Sequence, residues 1–247
     1  MRGIRIFNIT INPLSRAEFI DIISLNLQAE KLLVQNGVNA ASIVELVHND
    51  ALKEAYNNSD LINIDGMSLV WTLRILGYKV PERVSCPDLA DDVLCMAEKN
   101  GYKVFFWGAK EESLQLCITR VLEKYPLLGI AGYRNGYFSD NEEKSIFNQI
   151  NESDTDILFL GMPSPRKELL VMKYRKQINP CYILGVGGYF DILAGFTKRA
   201  PLWLQKTGLE WVCRLLQEPR RMWKRYMLGN FQFIAIIIKE IFRRRKA

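Results

Sequence analysis

Histidine is nearly missing. The chain of 247 residues has one, His48, inside the helix-like stretch SIVELVHNDALKEAY. A Ser-His-Asp triad or an imidazole-ligated metal would have to be built on it, and one helical histidine reads first as a surface or packing residue. The five cysteines, Cys86, Cys95, Cys117, Cys181 and Cys213, are odd in number and never at CxxC spacing. They make neither a zinc site nor a disulfide framework and read as buried reduced thiols. No run of about 18 uncharged apolar residues occurs, so a membrane-spanning helix is not expected. The opening MRGIRIFNIT is strand-like and lacks the apolar core and small-residue cleavage site of a signal peptide. A cytoplasmic location is the expectation. Internal repeats and low-complexity segments are absent as well.

What remains is a globular chain. Hydrophobic residues make up 49%, charged residues 24% and aromatic residues 11%, enough for a sizeable core and too much for a disordered chain. The length suits one large domain, or one domain with an appendage. The net charge of +6 is unevenly spread: from Arg214 onward ten basic residues face only Glu218 and Glu240, a local +8 that leaves −2 for the first 213 residues. A nearly neutral body thus carries a cationic tail, suited to phosphates, an anionic membrane surface or nucleic acid.

Two periodicities alternate along the body. Strand-like runs cover 4–11, 32–38, 61–64, 102–107, 129–133, 156–161 and 181–186, and helical patterns cover 16–29, 41–56, 67–76, 89–99, 111–124, 141–150 and 165–178. VFFW, ILFLG and YILGV are continuously apolar, as strands buried on both faces must be. The alternation predicts an α/β fold, a Rossmann-like and mostly parallel sheet flanked by helices, over residues 1–199. Residues 200–247 differ: a helix over 200–216, then EPRRMWKRYMLGN, then FQFIAIIIKEIFRRRKA. The apolar stretch 231–238 is too short to cross a bilayer and ends in an Arg cluster, so this appendage reads as a membrane-binding amphipathic helix. Docking of the same helix on the body or on a second subunit is the plainer alternative.

Ligands of such sheets gather beyond the carboxyl ends of the strands, where helix N-termini suit a diphosphate. The turn Gly185-Val186-Gly187-Gly188-Tyr189-Phe190-Asp191 is no dinucleotide fingerprint, since its third glycine is displaced and no βαβ unit follows. Either Gly187 and Gly188 let backbone approach a phosphate or sugar, with Asp191 on a hydroxyl, or the turn is structural. Asp154-Thr155-Asp156 matches a DxD metal signature but precedes its strand, at the wrong end of the sheet, so a solvated turn and no metal are expected. Asp65 ends a short apolar strand directly before a helix, as an N-cap or a general base. Pro81-Glu82-Arg83-Val84 can return an arginine to the same mouth, where its planar fork suits a diphosphate.

The ordered pieces NIDGMSLVW, PERV, PDL, YKVFFWGAKEE, FLGMPSPRKE, GVGGYFDILAG, KRAPLWLQKTGLEW and RLLQEPRRMWKRY resemble the WecG/TagA/CpsF family of bacterial glycosyltransferases over about residues 4–226. The resemblance implies an inverting transferase that needs no metal or other cofactor. It would move a sugar, N-acetylmannosamine or its uronic acid in the best-known members, from a UDP-sugar to a polyprenyl-diphosphate-linked acceptor at the inner face of the cell membrane. It implies Asp65 as the catalytic aspartate, Asn39 and Arg83 in the pocket, and Arg214, Arg221 and Arg225 closing over the site when the appendage meets the membrane. The chain departs from the pattern at Gly37, usually threonine, at Ser85-Cys86-Pro87-Asp88-Leu89, where many members have GQDL or GSDL, and at Lys167, usually glutamine. Lys167 can pair with an acidic sugar or a phosphate; alternatively Arg166 and Lys167 simply begin a solvated helix.

The expected mechanism sets uracil and ribose near 185–191 and has Asp65 deprotonate the acceptor hydroxyl for inverting attack. Arg214, Arg221 and Arg225 then neutralise the departing UDP. A basic-tailed nucleotide-sensing module that binds RNA or DNA is the other class. Phe231, Phe233, Ile234, Ile236, Ile237 and Ile238 argue against it, being better matched to lipid than to a phosphate backbone, so no nucleic-acid partner is expected. A membrane scaffold without catalysis is a third reading, and a homo-oligomer is left open.

Overall fold

A computed structural model of the chain describes residues 3–245, apart from the side chains of Lys206, Arg221, Met222, Lys224, Arg225, Tyr226, Arg244 and Arg245. It opens with a hairpin, β1 (Ile4–Ile6) and β2 (Ile9–Ile11), where the sequence pattern suggested one strand. Phe7 and Asn8 both take positive φ, 53° and 63°, the two-residue turn whose twist matches an antiparallel pair and which Asn tolerates.

Six strands form the main sheet: β3 (Leu33–Val38), β4 (Leu61–Ile64), β5 (Lys103–Gly108), β6 (Gly129–Arg134), β7 (Ile157–Gly161) and β8 (Tyr182–Gly185). Their order is β4-β3-β8-β7-β5-β6, with every pair parallel. The apolar runs occupy its centre, β7 and β8 being buried at every position. Alternate residues serve opposite layers, as the pleat requires: Phe106, Phe159 and Leu184 join one core cluster, Phe105, Leu158 and Ile183 another.

Helices α1 (Arg16–Gln28), α2 (Ala40–His48), α3 (Asp50–Asn57), α4 (Met67–Ile75), α5 (Cys86–Asn100), α6 (Glu111–Lys124), α7 (Glu143–Glu152), α8 (Arg166–Tyr174) and α9 (Tyr189–Leu193) cover the sheet. The pattern over 41–56 is two helices because the Asn49 side chain accepts the Leu52 N–H at 2.9 Å and caps a new start. The appendage contains α10 (Leu202–Lys206), α11 (Glu210–Gln217) and α12 (Pro219–Arg245). The helix expected over 200–216 is broken at Gly208, whose φ is +69°.

The tail is docked, and its apolar residues divide between two faces of α12. Phe233, 6% exposed, joins the cluster of Ile43 and Leu46 on α2, with Ile236 and Ile237 packed beside it. On the opposite face Trp223, Met227, Phe231, Ile234, Ile238 and Phe242 recur at helical spacing and stay exposed. Phe233→Ala is expected to cost about 3 kcal/mol through the cavity it leaves. Phe231→Ala, at a position 69% exposed, should stay within about 0.5 kcal/mol; denaturant midpoints measure both. Among the described residues no helix is long and apolar enough to cross a membrane.

Candidate active site

Loops from the carboxyl ends of β3, β4, β5, β7 and β8 meet in one cleft of about 1320 Å³. Asn39, Asp65, Cys86, Lys167, Gly187, Gly188 and Asp191 line it. The appendage adds Arg214, Leu228 and Gln232 to the lining. The Asp154-Thr155-Asp156 turn lies at the opposite rim. There Asp156 accepts the Lys103 N–H at 2.8 Å and the exposed Asp154 faces the Lys103 ammonium at 3.5 Å. His48 is exposed at the edge of the cleft.

Asp65 does not cap its helix. The N-cap of α4 is Gly66, with no side-chain hydrogen bond. The carboxylate instead accepts the Cys86 N–H at 3.0 Å on Oδ1, and the Asn39 amide approaches Oδ2 at 3.4 Å. Asn39 itself caps α2: its Oδ1 accepts from Ala41 and Ser42 N–H at 3.1 and 3.2 Å. That cap fixes which way the amide points and leaves Nδ2 for Asp65. A carboxylate so held keeps lone pairs directed at the cleft, ready to accept a proton from a hydroxyl.

In the same cleft Gly187 adopts φ +55°, and neither it nor Gly188 has a neighbour where a Cβ would stand. A ligand can therefore approach this backbone closely. Lys167 does not begin a solvated helix. It is 9% exposed, pairs with the buried Glu168, and runs its stem under Gly185. Arg166 is also engaged, lying 4.0 Å from the centre of the Phe138 ring and donating to the Phe138 carbonyl at 2.9 Å.

Gly37 and Cys86 meet in space. A Cβ on Gly37 would overlap the Cys86 sulfur. The Cys86 sulfur fills the space over Gly37, beside Asp65. Burial, with the Asp65 charge nearby, pushes the Cys86 thiol far above its usual range, so it serves as a neutral wall. Gly37→Thr alone should destabilise the chain by about 1–3 kcal/mol through overpacking. Adding Cys86→Gly should recover most of that loss, as thermal unfolding of the two variants will show.

Arg83 is not among the residues lining the cleft; its guanidinium contacts Glu210 and Gln205 in the appendage. Arg221 and Arg225 lie on α12, and their side chains fall outside the described residues. Sequence reasoning missed the Cys86 N–H as a partner of Asp65, and Glu168 as the partner of Lys167. The first had a signal: Ser85-Cys-Pro-Asp88 is a helix start, Ser85 accepting the Asp88 N–H at 3.3 Å, which brings the first N–H of α5, that of Cys86, to Asp65.

Open parallel sheets bind their ligands in the crevice beyond the carboxyl ends of the strands, and this chain has such a crevice with Asp65 at its rim, the setting of a substrate site in an α/β enzyme. Residues 4–247 match the model of the glycosyl transferase WecG/TagA/CpsF family, and the chain belongs to that family. It is a glycosyltransferase. The N-acetylglucosaminyldiphosphoundecaprenol N-acetyl-beta-D-mannosaminyltransferase of Bacillus spizizenii is 32% identical over 195 residues, 79% of this chain and 74% of the relative. The protein of the same name from Bacillus subtilis is 28% identical over 236 residues, 95% of this chain and 91% of its own.

Proposed function

We propose that this chain is an inverting transferase that moves an N-acetylmannosamine-type sugar from a UDP-sugar to a polyprenyl-diphosphate-linked sugar acceptor at the inner surface of the cell membrane. The observation that carries the reading is the Asp65 carboxylate, held by the Cys86 N–H and approached by Asn39, in one cleft with the Gly187 turn and Arg214. The acceptor class is that named for the two Bacillus relatives.

Asp65 takes the proton of the acceptor hydroxyl as the oxygen attacks the anomeric carbon. The C–O bond to UDP breaks on the opposite face, and the electron pair leaves with the diphosphate. Gly187 and Gly188 admit that diphosphate, Asp191 accepts a ribose hydroxyl, and Lys167 meets the sugar or a phosphate oxygen. Arg214, with Arg221 and Arg225, supplies positive charge to the leaving group in place of a metal. Residues 1–199 act as the catalytic body. Residues 200–247 act as the appendage whose exposed apolar stripe and flanking cations Arg220, Lys239 and Arg243 meet anionic lipid.

The test is UDP release over a panel of donor sugars, with a short-chain prenyl-diphosphate-N-acetylglucosamine acceptor and vesicles of anionic lipid. Acceptor-dependent release with one donor is the expected result; none with any donor would remove the transferase mechanism. Cosedimentation should follow the vesicles and weaken with salt, whereas preference for RNA or DNA would favour the nucleic-acid reading.

A further inference from the structure

Arg83 turns its guanidinium away from the cleft and toward the appendage. At 11% side-chain exposure it bonds Glu210 Oε2 at 2.7 Å, on α11, and Gln205 Oε1 at 3.4 Å, on α10. Beside it Arg199 pairs with Asp88 and donates to the same Gln205 oxygen at 2.8 Å. Asp88 stands 4.0 Å from Arg83. Burial alone would raise the Asp88 pKa, but hydrogen bonds from Arg199 and Ser85 outweigh it and hold the carboxyl below its usual range. Charges this enclosed are costly to unpair, unlike exposed surface pairs.

Each end of this network leads to the chemistry. On the appendage, Glu210 stands one helical turn before Arg214, so fixing Glu210 fixes the rotation of the helix that carries Arg214 to the cleft. On the body, Arg83 begins a short strip bound to the edge of the sheet. The Val84 N–H bonds the Ile64 carbonyl at 2.9 Å, Asn63 bonds the Val84 carbonyl at 2.7 Å, and the Cys86 N–H holds Asp65 at 3.0 Å.

We propose that Arg83 is a positioning residue: with Glu210 it forms an electrostatic latch that docks the appendage on the body and aims Arg214 into the cleft, while the strip it anchors holds Asp65. The roles of Arg214 and Asp65 in this statement rest on the function proposed above. A ligand-binding arginine would leave its guanidinium directed at the substrate; here it is occupied by the appendage.

The experiment compares Arg83→Gln, Glu210→Gln and the double variant in the full-length chain, by donor kinetics and by hydrogen exchange of the amides in 202–217. Each single variant should exchange faster there and lose about tenfold in kcat, with the donor KM moving less than about twofold. The double variant should lose no more than either single, because both remove one device. Losses that multiply to about a hundredfold, a change confined to KM, or unaltered exchange would each overturn the latch. Thermal unfolding checks that the variants fold, and Arg83→Lys, which keeps one charged contact, should recover part of the protection. Full turnover in Arg214→Ala would count against the leaving-group role alone, since hydrogen exchange reads the latch without it.

Discussion

Asp65→Asn is expected to lower kcat by about three orders of magnitude, the middle of the range for loss of a general base, with UDP affinity within about twofold of the parent. The substitution keeps size and shape. Its carbonyl oxygen can still accept the Cys86 N–H, so the strip from Arg83 to Cys86 stays in place. The new amide can no longer take a proton, and its NH2 faces the Asn39 Nδ2 donor, so that contact is lost too. The glycine turn at Gly187 supplies neither partner of the Asp65 carboxylate and is untouched. Acceptor-dependent UDP release and calorimetric UDP binding check the two halves separately. An Asn variant with parental turnover removes Asp65 as the base.

Arg214→Ala is expected to reduce kcat about a hundredfold, comparable to removal of one preorganised donor from a developing anion. Arg214 lines the cleft from the appendage side, on a helix whose rotation Glu210 fixes. Lysine at the same position should recover only part of the loss, because a point charge cannot make the paired bonds of a planar fork to phosphate oxygens. The donor KM should rise less than kcat falls, because the charge on the leaving group grows as the bond breaks. Steady-state kinetics with saturating acceptor distinguish this from a binding defect, in which KM alone would change.

Much of the fold is legible along the chain because apolar runs and helical spacing are local signals. The buried strands β7 and β8 follow from ILFLG and YILGV, and the parallel sheet follows from their alternation with helices. Breaks were harder to read. The turn at Phe7 and Asn8, the new helix start at Asn49 and the interruption at Gly208 each rest on one residue inside a pattern that otherwise continues. The cleft itself was legible from loop position, since Asn39, Asp65 and the Gly187 turn all follow strands. The partner of Arg83 was not: Glu210 stands 127 residues away, and no local periodicity carries that information. The sequence reads the apolar residues 231–238 together as matched to lipid, and the docking of Phe233 on α2 shows that α12 divides them between an inward and an outward face.

The fit between Gly37 and Cys86 constrains how a pocket of this shape arises. A chain that gains a side chain at 37 before losing the sulfur must pass through an overfilled wall next to its acid, whereas one that empties position 86 first passes through a small void. Hollowing out is the milder of the two routes. Laboratory rebuilding of this wall should follow the same order, loosening it at position 86 before refilling it from position 37.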